Sequence, residues 1–242
     1  MNRHDEVTDI LALIEQFGGD GSVYHDTLSR LAKASASQVG GMPYRWQDDC
    51  ILALVEKGQR VLDLGCGAGE LLERLVRDAK ACGQGVELDH DEVAACIERG
   101  VPVIQADIDE GLKPFADATF DLVVLEETLQ TLYRPDLVLH EMLRVGRRGV
   151  VSFPNFGYWR VRLDLVLGGR MPRTGHLPHS WYDTPNIHLF TVEDFRSWAI
   201  EHGMRIVEGR VLCDNGVRDY QEGDNLHAME ALFVVERQDA TT

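Results

Sequence analysis

None of the five cysteines, Cys50, Cys66, Cys82, Cys96 and Cys213, forms a C-x-x-C pair with another. Their number is odd and they are scattered, which argues against a disulfide framework or a zinc site and for a reduced chain. Apolar runs are short as well. None approaches the roughly 18 residues of a membrane span, and the first residues, Met-Asn-Arg-His-Asp-Glu, carry no secretory apolar region. The chain is therefore expected to be cytoplasmic, with no membrane partner. Positive charge is scarce: 24 Lys and Arg stand against 40 Asp and Glu, a formal net charge of −16. Such a chain repels phosphate backbones, so no nucleic-acid partner is expected. The nine histidines show no metal-site spacing on a helix, and no metal is assigned.

What is present is an ordinary globular composition, 44% hydrophobic over 242 residues, ample for one sizeable core. The chain is organised around residues 61–70, Val-Leu-Asp-Leu-Gly-Cys-Gly-Ala-Gly-Glu. Apolar residues there read as a buried strand. Glycines follow at alternate positions, Gly65, Gly67 and Gly69, and Leu71, Leu72, Leu75 and Val76 then recur at helical spacing. A strand, a glycine turn and a helix start let a nucleotide-like ligand lie against bare backbone. A dinucleotide-binding turn would carry its third glycine at position 70, which is Glu70. The pattern is instead D-x-G-x-G-x-G, led by Asp63. A pyrophosphate wants N–H donors, whereas an ammonium wants a carboxylate nearby. This stretch resembles motif I of the class I S-adenosylmethionine methyltransferases. That resemblance implies that the glycines, with Cys66 among them, admit the methionine end of the cofactor and that Asp63 helps hold its amino group. Cys66 itself reads as a small residue filling a tight turn.

Taken in order, residues 1–41 read as an N-terminal helical extension and tether. Val7, Ile10, Leu11, Leu13, Ile14 and Phe17 line an amphipathic helix, Leu28 and Leu31 hint at a second, and residues 33–41 are small and flexible in composition. This part is either a loosely ordered extension or a docking element for a partner or second copy. The main domain is expected over residues 42–242. A helix over 47–55 precedes the first strand, with Tyr44, Arg45 and Trp46 at its start, placed to close on a ligand or simply to pack. Residues 83–89 form a short second strand with Glu87 at its carboxyl end, 20 residues past Gly67, where a carboxylate suits a ribose diol. A helix begins at Asp91. A third strand over 101–107 ends at Asp107, the family's position for an acid facing the adenine amino group. A fourth covers 122–125, with Asp121 before it and Glu126 and Glu127 after it. No Asn/Asp-Pro-Pro-Tyr/Phe element follows, so the common amino-methylating signature is absent. Pro135 opens a helix, where its missing N–H costs nothing, and 149–154 is a fifth strand. Strand–helix alternation argues for an α/β, Rossmann-like fold with helices on both faces of a mostly parallel sheet. Two last strands, over 204–212 and 231–236 with a turn at Asp214-Asn-Gly216, complete the expected seven-stranded methyltransferase sheet.

Residues 155–190 break the rhythm. They gather aromatic and basic groups in an acidic chain and follow the fifth strand's carboxyl end, the ligand side of such sheets. Residues 158–167 read as a helix ended by Gly168-Gly169. The segment is read as a substrate or partner surface carrying Asn155, Tyr158, Trp159, Arg160, Trp181, Tyr182 and His188. The plain alternative is a cap on the sheet. Residues 191–194, Thr-Val-Glu-Asp, open the next helix with a capping-box pattern.

Several stretches resemble the MetW family: residues 60–67 and 85–89, Thr-Leu-Gln at 128–130, Arg-Val-Gly at 144–146, Val-Ser-Phe-Pro-Asn-Phe-Gly-Tyr-Trp-Arg at 151–160, 168–172, and Trp-Tyr-Asp-Thr-Pro-Asn-Ile-His-Leu at 181–189. The resemblance covers roughly residues 42–212, and the 151–160 and 181–189 stretches are its most specific parts. It implies a methyltransferase fold, a role in methionine biosynthesis beside a homoserine O-acyltransferase, and S-adenosylmethionine or S-adenosylhomocysteine held by Asp63, Gly65, Cys66, Gly67, Gly69, Glu87, Leu88, Asp107, Ile108 and Glu126. Two activities stay open: methyl transfer to a small acceptor, for which Glu127, Tyr158 and His188 are the candidate bases, or cofactor binding that assists or regulates the acyltransferase. A nicotinamide dehydrogenase fails on Asp63 and Glu70.

Overall fold

A computed structural model of the chain describes residues 45–238. The helices expected within residues 1–41, the tether and Tyr44 lie outside the described residues. The fold is built on β1 (Arg60–Leu64), a strand whose apolar residues leave no surface to solvent. Strands buried on both faces read as near-continuous apolar runs, as this one does except at Asp63. It pairs in parallel with β2 (Cys82–Glu87) on one side and with β4 (Phe120–Leu125) on the other. β3 (Val103–Gln105) and β5 (Gly146–Pro154) extend the parallel sheet outwards. Two long antiparallel strands, β6 (Met204–Cys213) and β8 (Glu230–Arg237), and a short one, β7 (Gly216–Asp219), close the far edge. The order across the sheet is β3-β2-β1-β4-β5-β8-β6-β7.

The sheet thus has eight strands where seven were expected. The extra one is β7. The turn at Asp214 and Asn215 does not lead towards β8 but folds the chain back at once, pairing Cys213 with Gly216. Gly216 has φ +110°, a left-handed value that suits glycine after a tight turn. A two-residue connection makes an ordinary hairpin, which explains why the gap to β8 is too long for one.

Helices cover both faces. α1 (Trp46–Leu54), α2 (Glu70–Arg74, continued by a π-helical turn over Leu75–Ala79) and α5 (Trp159–Gly168) pack Ile51, Leu71, Leu72, Leu75 and Val161 on one face, and Cys96 of α3 (His90–Glu98) joins them. α4 (Pro135–Val145) and α6 (Val192–Glu201) pack Val138, Leu139, Met142, Phe195 and Ala199 on the other. The split follows from right-handed crossovers, which place connections on opposite faces when the chain moves out from β1 in opposite directions.

Local chemistry sets the boundaries. Asp89, not Asp91, starts α3: its carboxylate accepts from the Asp91 and Glu92 N–H groups. Thr191 and Asp194 complete a reciprocal capping box on α6. Pro135 stands in the first turn of α4. β1 and β4 are neighbours from which the crossovers diverge, so a crevice opens outside their carboxyl ends.

Candidate ligand crevice at the carboxyl ends of the sheet

The turn after β1 needs its glycines. Gly65, Gly67 and Gly69 all have left-handed φ values, +74°, +53° and +79°. A Cβ on Gly65 would press on Thr128 Oγ1 at 2.8 Å, and one on Gly69 on Cys96 Sγ at 2.9 Å. Gly67 differs: a Cβ there would meet only Glu92 Oε2, at 4.0 Å, so it would stand in open space over the turn. The Gly67 N–H is held by Glu87 Oε2 at 2.8 Å, while Glu87 Oε1 accepts from the Leu88 and Asp89 N–H groups at 2.8 and 2.9 Å. Glu87 therefore latches the end of β2 onto the glycine turn, 20 residues away in sequence. A carboxylate offers about four lone-pair sites, so Glu87 keeps capacity for a further donor. Leu88 beside it is 61% exposed. Asp107 is half-buried, accepts from the Asp109 N–H and caps a 3-10 turn, Ile108–Glu110, in which Ile108 is buried.

Beneath the turn lies a nest of acids. Asp63 is 4% exposed in the middle of a hydrophobic strand. Burial, and next the Glu126 carboxylate, push it up to about 8. Glu126, at the end of β4, is pushed up to about 7, again mainly by burial. Asp48 of α1 is raised for the same first reason, with Arg45 opposing. Arg45 is the cation of the nest. Its Nη2 lies 2.9 Å from Glu126 Oε2 and its Nε 3.4 Å from Asp48 Oδ1. Three buried carboxyl groups thus face one guanidinium that is itself half open to solvent and also reaches Glu70 at 3.8 Å. Such a set takes up protons or a cationic ligand, because uncompensated charge is costly there.

Next to it, Glu127 adopts φ +49°, a strained value for a residue with a Cβ. Its N–H is held by Ser152, with O and Oγ at 3.2 and 3.1 Å. Its carboxyl accepts from Gln47 Nε2 at 3.3 Å, and the same nitrogen reaches Glu230 Oε2 at 3.0 Å. Trp46 Nε1 also donates to Glu230 Oε2, at 2.6 Å. Burial and then the Glu230 charge push Glu127 up to about 8. His188 joins this side through its N–H, which donates to the Gln130 carbonyl at 3.0 Å.

Other sequence candidates lie elsewhere. Tyr158 is 1% exposed and donates its hydroxyl to Asp214 Oδ1 at 2.7 Å; burial raises its pKa further. It is withdrawn from both the surface and the role of base. Asn155 is fully buried and saturated: it donates to the Asn225 and Ala228 carbonyls and accepts from the Gly157 and Val192 N–H groups. It staples the end of β5 to α6 and to the loop before β8. Trp159 and Arg160 pack on each other, 5.0 Å from guanidinium to ring, and both reach Asp214. Aromatic and basic residues suggested a surface here, but Tyr158, Trp159 and Arg160, with Asn155, serve to tie α5 and its preceding loop into the fold. Trp181 and Tyr182 do stand out, 76% and 73% exposed and edge to face with each other, and Trp181 lines an apolar groove with Phe156, Met171, Leu177 and Leu189. Cys66 is buried, 3.9 Å from the Cys96 sulfur, and burial raises its thiol pKa, so it is a packing residue under the turn.

Sequence reading passed over Gln47, Asp48, Gln130 and Glu230 as site residues. The polar run Gln47-Asp48-Asp49 in the first turn of an otherwise apolar α1 was a signal for the first pair. Nothing local marks Glu230, which reaches the crevice because β8 runs antiparallel to β5 and pairs Glu230 with Pro154. Among the described residues no group of three or more His, Cys, Asp or Glu side chains is arranged to hold a metal ion, and no helix is long and apolar enough to cross a membrane.

Comparison with known proteins bears on the family and the fold. The family model described as methionine biosynthesis protein MetW matches residues 45–235. The bifunctional methionine biosynthesis protein MetXA/MetW of Rhodopirellula baltica is 35% identical over 203 residues, 79% of this chain and 32% of the relative. The ubiquinone/menaquinone biosynthesis C-methyltransferase UbiE of Cupriavidus metallidurans is 31% identical over 142 residues, 56% of this chain and 58% of that one. The chain thus spans about a third of the first relative's length and under two thirds of the second's. Among solved structures, a SAM-dependent methyltransferase of Thermotoga maritima, described as a possible histamine N-methyltransferase, superposes with a TM-score of 0.58 at 15% identity, over 94% of this chain and 99% of that one. At that identity the match shows the fold alone.

Proposed function

Because the chain belongs to the MetW family of methionine biosynthesis proteins, we propose that it binds S-adenosylmethionine in the acid-floored crevice and acts in the cytoplasm with a homoserine O-acyltransferase, assisting or regulating it. The observation that carries the reading is the nest of Asp63, Glu126 and Asp48 around Arg45, directly under the glycine turn. Those residues fit the cofactor's chemistry. A molecule with a sulfonium and an ammonium answers an excess of buried carboxylates, whereas a dinucleotide's pyrophosphate would be repelled. Arg45 would meet the carboxylate of the amino-acid end and Asp63 its ammonium. Glu87 has lone pairs left for a diol. Leu88, Asp107 and Ile108 would border the nucleoside. When bound, S-adenosylmethionine supplies a methyl group on a positively charged sulfur.

The partner half of the reading is supported by the Rhodopirellula relative, whose name joins MetXA to MetW in one polypeptide. Trp181 at its groove and Tyr182 packed against it supply exposed aromatic area of the kind that anchors interfaces. Cofactor occupancy would influence the partner only through differential affinity for two states of the complex.

A second reading, methyl transfer to a small acceptor, is favoured by Glu127, a strained, half-buried acid beside the crevice with a pKa near the working range. In-line displacement draws much of its rate from positioning. Glu127 and His188 are the groups on hand to accept a proton. The two readings separate in one experiment: incubate the chain with labelled S-adenosylmethionine, homoserine, its acyl esters and the acyltransferase. The proposal expects cofactor binding and an altered acyltransferase rate with no label in the small molecules. Label transfer would establish the second reading, and the absence of both cofactor binding and a changed acyltransferase rate would refute the first.

A further inference from the structure

The acids of the crevice fall into two groups. Asp48, Asp63 and Glu126 share Arg45. Glu127 and Glu230 form no ion pair among the described residues, and Glu127 feels the Arg45 charge only at a distance. They lie past the nest, where β4 and β5 end and β8 begins, joined by the single amide nitrogen of Gln47. Donors and acceptors there are out of balance. Two carboxylates offer about eight lone-pair sites, yet among the described residues the donors that reach them are Gln47 Nε2, shared between them, and Trp46 Nε1. Beside Glu127 stands Gln130, only 4% exposed, whose Nε2 donates to the Glu127 carbonyl at 2.7 Å while its Oε1 has no partner among the described residues. A buried amide oxygen without a donor costs free energy and calls for one. Nε2 of His188, a residue whose N–H is bonded to the Gln130 carbonyl, is likewise buried and without a partner among the described residues.

Glu127 and Glu230 are half-buried, so they line a crevice instead of being sealed in a core. Their setting is rich in acceptors, poor in donors and doubly acidic. Glu127 is held there at a left-handed φ by two bonds from its N–H, and strain of this kind gathers at ligand clamps. We propose that Glu127, Glu230 and Gln130 form a second subsite, next to the nucleoside crevice, that takes the ammonium group of a small primary amine. An ammonium has three N–H donors and no acceptor. It would supply what the two carboxylates and the Gln130 oxygen lack, and charge-assisted bonds to carboxylates are the stronger kind. A divalent metal fits less well, since no group of three His, Cys, Asp or Glu side chains is arranged to hold one among the described residues. As an ammonium site the inference stands without the nucleoside; as the acceptor or effector site beside a methyl donor it rests on the reading above.

The test uses the full chain with no nucleoside present. Butylammonium and its neutral counterpart butan-1-ol are titrated at about pH 7.5, below the ordinary range of a primary ammonium, by ligand-observed saturation-transfer NMR, with Mg²⁺ as a third arm. Saturable butylammonium binding is expected, roughly tenfold or more tighter than the alcohol. Glu127→Gln and Glu230→Gln should each weaken it roughly ten- to a hundredfold. Both keep the side-chain shape and an acceptor oxygen and relieve the crowding of two acids, so melting temperatures of the variants should not fall, which secures the fold control. Equal binding of amine and alcohol, an affinity untouched by both substitutions, or Mg²⁺ binding that excludes the amine would overturn the proposal. Titration of S-adenosylmethionine in parallel tells its failure apart from failure of the nucleoside reading, because either can bind while the other does not.

Discussion

Asp63 is the residue where folding and binding pull in opposite directions. A carboxyl buried in a sheet costs stability whenever it is charged, and here burial and Glu126 together raise its pKa to about 8. Asp63→Asn keeps the shape and removes the charge. Thermal unfolding at about pH 8, near that raised value, should show the variant more stable than the parent when no ligand is added. Its affinity for S-adenosylmethionine should drop roughly tenfold, the scale of one charge-assisted bond. A variant that loses stability and affinity together would mean that Asp63 is structural. The same residue shows what a single position reveals in sequence. Asp63 stands out because an acid inside an apolar run is costly to bury, and the alternate glycines because a side chain at any of the three would be strained. Both costs point to a ligand. Tyr158, Asn155 and Arg160 carry equally suggestive side chains. Their partners, Asp214, Asn225 and Ala228, lie roughly 55–75 residues away, and no local pattern foretells that their polar atoms are spent inside the fold.

At the scale of elements, much of the architecture follows from short-range signals. Thr191 with Asp194, Asp89 before α3 and Pro135 at α4 each mark a helix start by a side chain that satisfies or spares the first N–H groups. β7 escaped notice because four residues with alternating exposure carry too little pattern to distinguish a strand from a loop. Glu230 escaped because strand pairing across 70 residues or more is not written locally. The join between elements is concentrated in Asn155, whose side chain serves two N–H and two C=O groups from β5's end, α6 and the loop before β8, at 2.8–3.1 Å. Asn155→Ala would leave four backbone groups unpaired in a site with no solvent access. A loss of roughly 3 kcal/mol or more is expected, read as a lower urea midpoint at unchanged slope. A loss below about 1 kcal/mol, the scale of an ordinary point mutation, would show that the staple is replaceable.

For the molecule as a whole, the crevice governs how stability depends on pH. Folded Asp63, Glu126 and Glu127 titrate at about 8, 7 and 8, whereas unfolded carboxyls titrate near 4. Between those values the folded state binds more protons than the unfolded one. Stability from these groups is therefore complete below about pH 4 and lost as pH rises towards 8. Glu141 and Asp224, held low by Arg144 and Arg218, act the other way and lose their contribution only in acid. Calorimetric melting should thus occur at a lower temperature at about pH 8.5 than at about pH 6, on either side of the raised values. S-adenosylmethionine should raise the melting temperature more at the higher pH, because its positive charges meet carboxylates that are then ionised. A melting temperature that rises with pH across this window would contradict the acid nest.

The account depends most on the claim that S-adenosylmethionine lies over the turn between Gly65 and Gly69. Titration calorimetry of the full chain against S-adenosylmethionine, repeated with Gly67→Val, addresses it directly. A side chain at Gly67 would stand in the open space above the turn, so one saturable site is predicted in the parent and none in a variant whose circular dichroism shows it folded. Binding of equal strength in both proteins, or no binding in the parent, would contradict it.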